Sequence, residues 1–199
     1  MARKYQNTGL RKTQIVNAAK RIIIRYGSEH LTIRKMAKEV GITEGAVYRH
    51  FKSKNDILSF LVEHVEESLA GTVQKALDES RPSLKNLGSV LKSHISGIEQ
   101  RRGISFQVIA EIISLGDRKL NRQIAEVLGR YLQSLQALLA AGIQSGEVKK
   151  EINLEDAAVS LFGIIQGLVN LWALSGYNFD LEKRYDSLWS FFLQSVSPK

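Results

Sequence analysis

The 199-residue chain has no cysteine. Disulfides, thiolate nucleophiles and cysteine-ligated zinc are therefore excluded. It has only two prolines, and Pro82, in Arg81-Pro82-Ser83, marks a break between helices. It lacks an uninterrupted apolar run of about 18 residues, so no transmembrane helix and no membrane partner are expected. The stretch MARKYQNTGLRK carries no apolar signal segment, which points to the cytoplasm. No period-two strand pattern, internal repeat or low-complexity segment is evident, and the chain reads as all-α. HExxH, P-loop, dinucleotide-glycine and GxSxG patterns are all missing. His30, His50, His64 and His94 show no ligand spacing, and His64 beside Glu63, Glu66 and Glu67 reads as a solvated face. No catalytic residue, metal or cofactor is expected.

Acidic residues are scarce at the amino end. Residues 1–54 carry 13 Lys/Arg against 3 Asp/Glu, a net of +10, whereas residues 55–199 carry 15 against 17, a net of −2. The basic excess of the whole chain thus sits on one short segment, as a nucleic-acid partner requires. We place a domain boundary there, with 1–54 as one domain and 55–199 as a second, larger one.

The basic segment contains TIRKMAKEVGITEGAVYRHF, residues 32–51. Met36, Ala37 and Val40 share a face of one short helix. Gly41 stops it, since glycine reaches the left-handed conformation of a C-terminal cap without steric cost. Thr32 and Thr43 are the N-caps of this helix and the next. The second helix, over 43–50, turns Ala46 and Val47 inward. Thr43, Glu44, Gly45, Tyr48 and Arg49 remain outside. A small residue at Ala37, a glycine four later and an apolar residue six beyond that is the spacing of a helix-turn-helix DNA reader. A preceding helix, 10–26, carries the stripe Ile15, Ala18, Ala19, Ile22, Ile23 and Tyr26 and completes a tri-helical core. Arg3 and Lys4 lie in a terminal arm that either reaches DNA or is simply solvated.

Residues 15–58, from IVNAAKRIIIRYG through VYRHF to KSKNDIL, resemble the DNA-binding domain of the tetracycline-repressor (TetR) family. The resemblance implies a homodimeric transcriptional repressor on double-stranded DNA, released by a small-molecule effector. In its terms Tyr48, His50 and Lys54 meet phosphate. Lys54 also stands in the first turn of a helix opened by Ser53 and Asp56, an unfavourable place for a cation unless an anion lies opposite. Thr32, Arg34 and Lys35 flank another helix start suited to phosphate. Arg49 suits phosphate or guanine, and Glu44 can accept a hydrogen bond from cytosine.

The second domain reads as a helical effector-binding and dimerisation domain. Leu84, Leu87, Leu91, Ile95 and Ile98 stripe one helix, and Asn153 caps another, over 154–176, that is apolar almost all round. His94, Gln107, Glu111, Gln166 and Asn170 are the polar groups set among apolar faces. Either they line an effector cavity or they satisfy one another or the dimer seam. Leu161, Gly163, Ile164, Gly167 and Leu168, with Tyr185, Leu188, Trp189 and Phe192 on the last helix, suit a four-helix seam between two subunits. Intrachain core is the alternative for the last helix. A ligand-independent DNA-binding structural factor and an activator also fit the residues.

Overall fold

A computed structural model describes residues 8–77 and 84–198; the arm with Arg3 and Lys4 and the Arg81-Pro82-Ser83 break lie outside them. Among the described residues there are nine α-helices, one short 3-10 turn and no strand. They fall into two compact units. One comprises Met1–His64 and Gln107–Gln123, the other Val65–Phe106 and Ile124–Lys199. This division does not coincide with the boundary expected after residue 54: the first unit takes in the first half of one long helix and a distant segment around residue 115.

In the first unit, α1 spans Thr8–Tyr26. Ile15, Ala18, Ala19, Ile22 and Ile23 of its stripe are buried. Tyr26 is not: its ring is exposed, with Lys35 Nζ 5.4 Å and the Arg25 guanidinium 5.9 Å from the centroid. A phenol at the helix end can keep its polar edge in water while two cations cover its face. Helix α2 (Ile33–Val40) starts where the Thr32 hydroxyl accepts from Lys35 N. It ends at Gly41, φ +73°, with Ile42 N donating to Ala37 O at 2.9 Å and Gly41 N to Lys38 O at 3.2 Å. These two bonds form a Schellman closure. Helix α3 (Glu44–Tyr48) is capped by Thr43 and is shorter than the span 43–50 read from the sequence, because Arg49 and His50 fold into a turn on Val47 O. Helix α4 (Lys54–Leu77) opens on Ser53, whose Oγ accepts from Asp56 N at 3.2 Å, while Asp56 accepts from Lys52 N at 2.7 Å. The expected capping box is present, with its return bond displaced by one residue.

In the second unit, α5 (Leu84–Gln100) buries Leu84, Leu87, Leu91, Ile95 and Ile98. Helix α6 (Ile104–Leu115) and helix α7 (Arg118–Ser145) each have residues in both units. Between α5 and α6, Arg102 has φ +50°, and its guanidinium lies 5.2 Å from the ring of Tyr177, φ +64°. Helix α8 (Leu154–Leu174) is capped by Asn153, which accepts from Glu155 N and Asp156 N. It is long and apolar enough to cross a membrane by length and composition, yet only 39% of that apolar window is buried in the chain. Burial on both sides, expected from its composition, is therefore not met within one subunit: Val159, Leu171 and Leu174 are 49%, 63% and 85% exposed. Helix α9 (Leu181–Val196) lays Tyr185 and Trp189 on α5, the Tyr185 hydroxyl donating to Gly88 O at 3.3 Å.

Candidate nucleic-acid interface and effector-binding unit

The reading head is built by short-range rules. Two threonine caps and one glycine stop set the lengths of α2 and α3, and the buried Met36, Ala37 and Val47 hold them together. Arg21 Nε bonds Glu39 Oε1 at 2.8 Å and ties α1 to α2. What remains outside is the predicted set: Thr32, Arg34, Lys35, Thr43, Glu44, Gly45, Tyr48 and Arg49 are all exposed. No Cβ would meet an obstacle at Gly45, so the backbone there is open to close approach.

His50 and Lys54 are placed differently. His50 is half-buried, and its Nδ1 is enclosed with no hydrogen-bond partner among the described residues. Burial, then the charges of Arg49, Lys12 and Arg11, hold its pKa below the ordinary imidazole value. Lys54 Nζ lies 2.6 Å from Glu111 Oε1. Glu111, read from the sequence as an effector contact, therefore gives its carboxylate to the first turn of α4. Both residues belong to the first unit. A pairing across 57 positions leaves no local trace in sequence.

The five predicted effector residues divide between the units: Gln107 and Glu111 lie in the first, His94, Gln166 and Asn170 in the second. His94 is buried, and burial followed by the charge of Arg101 brings its pKa down to about 4. Gln166 Nε2 donates to Asn170 Oδ1 at 3.3 Å, while Gln166 Oε1 is enclosed without a partner among the described residues. Tyr131, which sequence reasoning passed over, is buried edge-on to Phe162 with centroids 6.1 Å apart, and burial pushes its phenol up. A cleft of about 570 Å³ runs along α5 and α9, floored by Gly88, Tyr185 and Trp189 and edged by Lys85 and Lys92.

Of the predicted seam residues, Leu161, Leu168, Tyr185 and Phe192 are buried within their own chain. Ile164, Leu188 and Trp189 are half-buried. Gly163 and Gly167 are exposed, with open space where a side chain would stand. They continue the strip of Val159, Leu171 and Leu174 on one side of α8, and Phe191 of α9 is likewise bare.

A capped, basic tri-helical reading head joined to a helical unit with an open apolar strip defines a DNA-binding regulator. Comparison with known proteins agrees. Residues 15–59 match the model of bacterial regulatory proteins of the tetR family, and residues 56–195 that of the YsiA-like protein C-terminal region. The chain belongs to the TetR family. It is 27% identical to the fatty acid metabolism regulator protein of Bacillus subtilis, over 94% of this chain and 95% of that one. It is 25% identical to the nucleoid occlusion factor SlmA of Vibrio cholerae, over 90% and 92%. Among solved structures it resembles the transcriptional regulator FadR from Bacillus subtilis in complex with stearoyl-CoA, with a TM-score of 0.76, 27% identity and coverage of 91% and 97%. The protein is a TetR-family DNA-binding transcriptional regulator.

Proposed function

We propose that the effector is a long-chain acyl thioester and that its binding in the second unit releases the dimer from a pseudo-palindromic operator. The observation that carries this reading is the likeness, along nearly the whole chain, to a fatty acid metabolism regulator protein and to FadR in complex with stearoyl-CoA. The interior of the second unit supports it. Its buried residues are almost all apolar, and the buried His94 is held neutral, surroundings that suit an uncharged chain. In this reading Thr32, Arg34, Lys35, Tyr48, Arg49, His50 and Lys54 position the head on phosphate, with Arg49 also suited to guanine. Thr43, Glu44 and Gly45 face base edges, Glu44 against cytosine. A regulator acting on chromosomal DNA works in the cytoplasm, and no catalytic role is assigned to any residue.

The test is operator binding by fluorescence anisotropy, with the operator first selected from a random duplex pool. Stearoyl-CoA should weaken operator binding, and operator should weaken stearoyl-CoA binding by the same factor. Free coenzyme A should do neither. If no acyl-CoA changes operator affinity, the second reading stands: a ligand-independent DNA-binding factor, which the SlmA likeness favours.

A further inference from the structure

Lys54 is the first residue of α4. A cation there opposes the helix dipole, and Glu111 supplies the anion that offsets it. The ion pair is asymmetric: the lysine side chain is 28% exposed, the glutamate 10%. The lysine is therefore more open to an approaching anion than the glutamate is to a solvent cation. The segment that follows Glu111 is also tied to α4. One turn of chain beyond α6, Asp117 accepts from Asn55 Nδ2 at 2.8 Å with one oxygen and caps α7 with the other, at Lys119 N and Leu120 N. Ser59 Oγ then bonds Gln123 Oε1 at 2.9 Å. Three successive ties thus bind the start of α4 to the segment 107–123, all within the first unit.

We propose that Glu111 is an electrostatic brake on DNA binding, competing with the phosphodiester backbone for the Lys54 ammonium. This rests on the reading that Lys54 meets phosphate. A phosphate approaching Lys54 meets a fixed negative charge behind it. To the extent that DNA draws the ammonium away, the enclosed carboxylate loses this ion pair, which opposes binding. Screening by salt is weak for a group so enclosed. Phosphate carries no base information, so the brake acts on every sequence alike.

The experiment measures full-length wild type, Glu111→Gln, Glu111→Ala, Lys54→Ala and the Glu111→Gln/Lys54→Ala double variant. Each is titrated against the selected operator and an unrelated duplex between 50 and 200 mM salt, after thermal melting confirms folding. Glu111→Gln keeps the volume and an acceptor oxygen but removes the charge. It should bind both duplexes roughly three- to tenfold tighter, with a slope of log K against log salt steeper by up to about one unit. Glu111→Ala, which leaves room for water at the ammonium, should move in the same direction. In the Lys54→Ala background the gain should vanish. If the Glu111 variants bind like wild type or more weakly while Lys54→Ala loses affinity, Lys54 meets phosphate but Glu111 does not compete for it. A gain that survives in the double variant also overturns the proposal, because Glu111 would then act without Lys54. Unchanged affinity in Lys54→Ala overturns the reading of Lys54 itself.

Discussion

The indole of Trp189 lies so close over Gly88 that a Cβ on Gly88 would stand 2.6 Å from the ring. The stripe Tyr185, Trp189 and Phe192 thereby packs on α5 of its own chain, with Tyr185 and Trp189 stacked at 6.2 Å and Trp189 and Phe192 at 5.6 Å. A rigid bicyclic ring has no flexible end to move aside. Gly88→Ala should lose about 1–3 kcal/mol to overpacking, more than the ~1 kcal/mol that alanine gains in a helix. Urea unfolding measures the difference. A variant more stable than wild type would mean that the indole yields easily.

Helix α3 has only five residues, and Thr43 Oγ1 caps it through Ala46 N at 3.2 Å. So short a helix has little else to hold its first turn. Thr43→Ala should cost about 1 kcal/mol of stability and weaken operator binding as the reading head frays. Serine at this position should restore both. Undiminished operator affinity in a folded Thr43→Ala protein would move base reading away from α3.

The buried His94 makes the chain acid-sensitive. Its folded pKa of about 4 lies below the 6.5 of a free imidazole. As pH falls, the unfolded chain takes up the proton first, so the His94 contribution is full above about pH 6.5 and is lost toward pH 4. Between pH 7 and 5 the loss should be roughly 2 kcal/mol. The urea midpoint of wild type should fall across this range, and that of His94→Asn should fall less. Parallel acid limbs in the two proteins would assign the titration to another group.

Leu171 is exposed on the α8 strip beside Gly163 and Gly167. An aspartate there should scarcely disturb a lone chain, yet it places a charge in a seam that two copies would close. Leu171→Asp should be a folded monomer by light scattering, with much weaker binding to a two-half-site operator. A dimer that persists unchanged would place the seam on another surface.

Much of the fold was legible because its devices are local. Thr32, Thr43, Ser53 and Asn153 all cap the helices that their positions announced, and Gly41 closes α2 in the left-handed conformation. The exposed face of the head followed from the same periodicity that buried Met36, Ala37 and Val47. The partner of Lys54 was illegible for the opposite reason. Its misplaced charge was visible, but phosphate and a carboxylate from α6 answer it equally well in sequence, and only the folded chain reveals the carboxylate. The two sides of α8 were also hidden, since apolar residues facing the core and apolar residues facing outward look alike in sequence. Arg102 and Tyr177, left-handed without being glycine, gave no signal at all.

As a seam between two copies, the uncovered side of α8 would tie folding to assembly. A lone chain must hold Val159, Leu171 and Leu174 in water, and pairing relieves that cost only when another copy is at hand. The melting temperature should therefore climb as the protein is concentrated, as mass action requires of a molecule whose native form is a pair.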